Sequence, residues 1–105
     1  MNQEIKAKWV EALRSGEYKQ CIGRLKNDHG EFCCLGVLCD IRFKEFKDSF
    51  SINPQFPDEA TVQWADLDFN DPIIEYKGVE VGISNLNDLG ALSFPEIADL
   101  IEAQL

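Results

Sequence analysis

Phe32-Cys33-Cys34-Leu35-Gly36-Val37-Leu38-Cys39-Asp40-Ile41 is the most apolar run in the chain, and whether it is strand or helix sets the architecture around it. It is far short of the ~20 apolar residues that cross a bilayer. It is also too evenly apolar for periodicity to separate a buried strand from a buried helix. The flanking sequence favours the helix. Asn27-Asp28-His29-Gly30 is a turn cluster, so a β-hairpin drawn from Tyr18 to Phe32 closes near Cys33. A central buried helix over about 33–43 is therefore expected.

Upstream, Ile5, Trp9, Ala12 and Leu13 share one helical face. Asn2 can cap that helix, and Ser15-Gly16 ends it, so it spans 3–15. Downstream, residues 47–56 read as a loop. Pro57-Asp58-Glu59 opens a short helix that ends near Leu67, with acids on the positive end of its dipole. Asp68-Phe69-Asn70-Asp71-Pro72 breaks the chain. Ile73–Val81, turning at Lys77-Gly78, is a compact hairpin pattern. Ser84 starts a short helical turn over 84–89 that carries Leu86 and is closed by Gly90. Ser93-Phe94-Pro95-Glu96 is a capping box with Leu92 and Ile97 as its hydrophobic staple, opening a helix over 93–104. The expectation is a small single α+β domain over 1–105, with three to four helices and one or two β-hairpins.

Composition agrees with a packed globular chain. Apolar residues make up 45% and charged residues 28%, a mixture that can bury a core. The first residues contain no apolar stretch of the kind a secretory leader needs, which points to a cytosolic protein. The net charge is −9, and its distribution is uneven. Residues 1–50 hold nine Lys/Arg and eight Asp/Glu, whereas residues 51–105 hold Lys77 alone against eleven Asp/Glu. That balance disfavours general nucleic-acid binding, which needs clustered cations. It leaves room for a compact anion site in the first half and for a basic partner on the second.

Cys21, Cys33, Cys34 and Cys39 include no C-x-x-C pair, so a structural zinc site is disfavoured. A site built on His29, Cys21 and Cys33 would be distorted. A Cys33–His29 nucleophile dyad can be drawn, but reactive thiols need an electropositive, accessible setting, and core cysteines are the simpler reading. Acidic pairs such as Asp58/Glu59 and Asp66/Asp68 read as solvated helix ends. No phosphate-binding glycine loop is present. The segments 84–89 and 93–104 resemble a helix-turn-helix only in outline, because Glu96, Asp99 and Glu102 would face phosphate. No catalytic residue, metal or cofactor is therefore assigned. The one suggestive cluster is Arg14-Ser15-Gly16-Glu17-Tyr18-Lys19-Gln20 with Arg24. Arginine gives bidentate recognition of phosphate, Tyr18 or Trp9 can stack a base, and Gln20 can read an amide or base edge. Ordinary surface charge on a helix end and an edge strand explains the same residues.

Three blocks carry a resemblance over the whole chain: Lys8-Trp9-Val10-Glu11-Ala12-Leu13-Arg14-Ser15-Gly16-Glu17-Tyr18-Lys19-Gln20, Phe32 to Asp40, and Leu86-Asn87-Asp88 through Ser93-Phe94-Pro95-Glu96-Ile97-Ala98-Asp99. In combination they resemble a group of small proteins encoded by phages and prophages. The chain departs from that pattern at Cys21-Ile22-Gly23, where a glycine-rich turn is usual. The resemblance implies a counter-defence context, in which small accessory proteins sequester nucleotide immune signals in the host cytosol. The resulting expectation is a non-enzymatic protein that binds a small anionic nucleotide-like signal through Trp9, Arg14, Tyr18, Gln20 and Arg24. Asn87 and Asp88 would add polar contacts, and a homo-oligomer would let a small chain bury more ligand. The alternative is an acidic protein-interaction inhibitor acting through residues 51–105, either a nucleic-acid mimic or a host-protein binder. A small hydrolase using Cys33 or the clustered acids is a third, weaker reading.

Overall fold

In the computed structural model the chain runs α1 (Gln3–Arg14), α2 (Cys34–Phe46), α3 (Glu59–Ala65), β1 (Ile73–Tyr76), β2 (Val79–Gly82), α4 (Ile83–Asp88) and α5 (Phe94–Gln104). The structure describes residues 1–47, 55–89 and 92–105. Most of the expected 47–56 loop, and Gly90 as the close of the short helical turn, lie outside the described residues. The fold is α+β. Among the described residues the helices number five, because residues 83–88 form a helix in their own right.

The apolar run is helical from its second cysteine. Cys34 to Asp40 are all buried, so no polar stripe marks a period. Cys33 is the N-cap, its Sγ accepting from the backbone N–H of Gly36 at 3.4 Å, a thiol in the place usually taken by a hydroxyl or carboxylate. Gly36 is required by packing. A Cβ there would collide with the carbonyl oxygen of Leu25. Trp9 on α1 is fully buried against this helix, and its indole N–H donates to the Cys34 carbonyl at 2.9 Å. Such a bond satisfies the one polar atom of a large buried ring.

The other expected elements form nearly where they were read. Asn2 caps α1 through Ile5 N at 3.0 Å, and Gly16 takes φ +77° just beyond its end. Ser93 and Glu96 form both halves of the capping box on α5, and the staple residues Leu92 and Ile97 are buried. β1 and β2 pair with Ile74 opposite Val81 and Tyr76 opposite Val79. Their turn, Lys77-Gly78, has φ of 53° and 81°, the positive values a two-residue type I′ turn requires. α1 packs along α5, α2 against α1, and α4 sits between α2, β2 and α5.

The first expected hairpin is corrected. Residues 18–33 form no strands but a folded loop with Phe32 at its centre. Phe32 bridges Gln20 in parallel and Lys26 in antiparallel fashion. Its N–H donates to Lys19 O at 2.8 Å, while its carbonyl accepts from Cys21 N at 2.8 Å. The chain therefore passes Phe32 on both sides, which a hairpin does not do. Gly23 at φ +81° makes the reversal between the two passes.

Candidate functional site

The loop 18–33 is fastened to α4 by a buried amide. Asn87 is 1% exposed, and its side chain uses all of its near partners. Oδ1 accepts from Gln20 Nε2 at 2.9 Å and from Cys34 N at 3.2 Å. Nδ2 donates to Cys21 O at 2.9 Å and to Asp88 Oδ1 at 2.8 Å. One side chain thus joins the loop, the first turn of α2 and α4. Gln20 extends the clasp by donating to Leu92 O at 2.8 Å. Asp88 extends it in the other direction, its Oδ1 also accepting from Gly23 N at 3.1 Å.

Beside this clasp lies a cleft of about 190 Å³, lined by Gly23, Arg24, Cys33, Gln55, Phe56, Ser84, Asn85 and Asp88. The Arg24 side chain is exposed and forms no hydrogen bond or ion pair among the described residues. Asn85 is likewise exposed with an uncommitted amide, and Asp88 keeps Oδ2 free of any hydrogen bond there. Ser84 is committed, since its hydroxyl and its N–H both donate to Asp71, at 2.7 and 2.9 Å. That carboxylate caps α4 from the segment before the hairpin, and a Cβ at Gly82 would collide with it. Ile22 and Leu89, 64% and 83% exposed, flank the Gly23–Asp88 contact.

The structure therefore gathers Gln20, Arg24, Asn87 and Asp88 and separates the other three. Trp9 is a core residue with no ring face in solvent, so it is not a stacking wall. Arg14 lies on α1 and is held by α5. Its guanidinium donates to Asp99 at 2.7 Å and to Glu102 at 3.0 Å. Glu102 first, then Asp99, raises its pKa above the ordinary arginine value. Tyr18 donates to Asp40 Oδ2 at 2.5 Å and accepts from Lys44 at 3.3 Å. Partial burial, then the bond to Asp40, raises its phenol pKa. Arg14 thus ties α1 to α5, and Tyr18 ties the loop to α2, rather than converging on Arg24. A wider groove of about 690 Å³ runs along α1 past Lys6, Val10, Arg14 and Glu102. It is shallow, and its one guanidinium is already neutralised, so the smaller cleft is the better candidate.

The thiols are poorly suited to nucleophilic work. Burial pushes Cys33 up to about 11 and Cys39 up to about 12, and raises Cys34 well above the ordinary thiol value. Cys21 is raised too, by partial burial and then by Glu31. A nucleophile needs the opposite shift. His29 is exposed in its turn, where its N–H donates to Asn27 Oδ1 at 3.0 Å. Among the described residues no group of three His, Cys, Asp or Glu side chains is placed to hold a metal, and no helix is long and apolar enough to cross a membrane.

Sequence reasoning missed Asn85, Ser84 and Asp71. The only local sign was the helix start after Gly82. No curated protein and no solved structure matches the chain. A family model described as a domain of unknown function (DUF8296) matches residues 1–105, so the chain belongs to that family over its whole length.

Proposed function

We propose that the protein is a non-enzymatic, phage-type counter-defence protein that binds and sequesters a small anionic, nucleotide-like molecule. The recognition site is the cleft between Gly23-Arg24 and α4. The observation that carries this reading is the uncommitted polar rim on a rigid support. Arg24, Asn85 and Asp88 Oδ2 are free to bind, while the Gln20–Asn87–Asp88 clasp fixes the loop and helix that present them. Arg24 would meet a phosphate, and Asp88 Oδ2 would accept from a sugar hydroxyl. Cys33 in the cleft wall is held protonated, with its pKa up at about 11, which favours holding a ligand over attacking it. A volume of about 190 Å³ suits one sugar or base rather than a whole dinucleotide. The remainder of a larger ligand would lie over Ile22 and Leu89. The resemblance to small phage proteins supplies the counter-defence context.

The test is a melting series with cyclic dinucleotides and ADP-ribose-type nucleotides, followed by denaturation and recovery of the ligand. Sequestration predicts one member that stabilises by about 2.7 kcal/mol at roughly a hundredfold excess over Kd and that is recovered intact. A panel that leaves the melting temperature unmoved refutes the reading, and recovery of a hydrolysed ligand replaces it with an enzyme.

A further inference from the structure

A second surface, away from the cleft, carries four of the carboxylates of residues 51–105: Asp66, Asp68, Glu75 and Glu80. We infer that a small cup between the end of α3 and the hairpin docks a basic protein segment through one aliphatic anchor. The cup holds about 110 Å³, walled by Met1, Leu67, Phe69, Pro72, Ile73 and Leu105 and rimmed by Asp66 and Asp68. That volume takes a single leucine- or methionine-sized side chain. Phe69 and Ile73 are 57% and 47% exposed, so among the described residues their apolar surface lacks a cover. The rim is fixed in place, because Asp66 is the left-handed C-cap of α3 at φ 56°. Neither rim carboxylate has a hydrogen bond or ion pair among the described residues.

Charge complementarity decides the occupant. From Ile73 the outward face of the hairpin continues through Glu75, which stands directly opposite Glu80. Like charges facing one another across a ladder repel, and a cation laid over them relieves the repulsion. An anionic lipid surface or nucleic acid meets only repulsion here, and a fully hydrated cation gains nothing from the apolar wall. Sheet extension is blocked on the β1 edge. Gln104 already donates to Glu75 O and accepts from Glu75 N, both at 2.8 Å, as a neighbouring strand would. The partner therefore engages through side chains, with Lys or Arg flanking the anchor.

The test uses fluorescence anisotropy with two short labelled peptides of Lys and Arg, one with a central Leu and one with a central Gly. The Leu peptide is expected to bind about tenfold tighter than the Gly peptide. The double variant Asp66→Asn/Asp68→Asn, chosen because Asn tolerates the left-handed conformation, should weaken it about fivefold at low salt. Phe69→Ser, at an exposed position, should erase the Leu advantage while leaving the far-UV circular dichroism unchanged. Equal affinity for the two peptides, an unaffected double variant, or stronger binding to anionic vesicles than to the Leu peptide overturns the inference.

Discussion

Asn87→Ala removes the clasp, and its cost can be worked from the bonds. Four hydrogen bonds disappear, two accepted and two donated. Gln20 keeps its bond to Leu92 O and Asp88 keeps Gly23 N, so those partners remain satisfied. Cys34 N and Cys21 O lose this partner, and a buried amide left unpaired costs about 1–3 kcal/mol. Adding about 1 kcal/mol for the net worth of each of the two remaining bonds, to Gln20 and Asp88, gives roughly 3–5 kcal/mol. Against a total stability of about 5–15 kcal/mol that is a large fraction, and it lowers the melting temperature by at least about 12 °C. Asn87→Asp sharpens the test. The new oxygen faces the Cys21 carbonyl and the Asp88 carboxylate, so burial and like charge hold the introduced carboxyl above its ordinary ~3.9. Below that value it is protonated folded and unfolded alike. As the pH rises the unfolded state releases the proton first, so the penalty grows. Urea titrations at about pH 4.5 and 7.5 should show the larger difference from wild type at the higher pH. A loss below about 1 kcal/mol for Asn87→Ala, or a pH-independent Asn87→Asp effect, refutes the clasp.

Gly36→Ala forces a Cβ into the Leu25 carbonyl and is expected to cost about 3 kcal/mol or yield no folded protein; a melt matching wild type contradicts the close packing. Arg14→Ala should leave ligand affinity unchanged and produce a small, salt-sensitive drop in melting temperature, because its partners are Asp99 and Glu102; a loss of ligand binding would return Arg14 to the site. Iodoacetamide at mildly alkaline pH should label Cys21 well before the buried Cys33, Cys34 and Cys39, and peptide mass spectrometry decides the order. The raised thiols also set a pH limit. Their contribution is fully present below the ordinary thiol value of 9.0 and is lost as the pH climbs through about 11 for Cys33 and about 12 for Cys39. Stability that holds level across that window contradicts their burial as thiols.

Local grammar made most elements legible. Ser93 and Glu96 announced α5, Asn2 and Ile5-Trp9-Leu13 announced α1, and Lys77-Gly78 marked the hairpin turn, since each rests on contacts within a few residues. The helical state of 34–46 was inferred from its flanks, because burial on every side of Cys34–Asp40 erased the period. The loop 18–33 escaped because its determinants are distant. Gln20 finds Asn87, Gly23 finds Asp88, and Phe32 pairs on two sides. For the same reason the basic cluster was misread at Arg14, whose carboxylate partners lie 85 and 88 residues away. Trp9 was already marked as core by its helical face, and its burial follows from that pattern rather than from any stacking role.

The most direct test of the central claim compares the wild type with Arg24→Ala and Asn85→Ala in the nucleotide melting series. Both side chains are exposed and uncommitted among the described residues, so both variants should melt like wild type without ligand. The stabilising nucleotide is expected to lose most of its effect on Arg24→Ala and part of it on Asn85→Ala. Full stabilisation of both variants would place the ligand elsewhere and contradict the cleft.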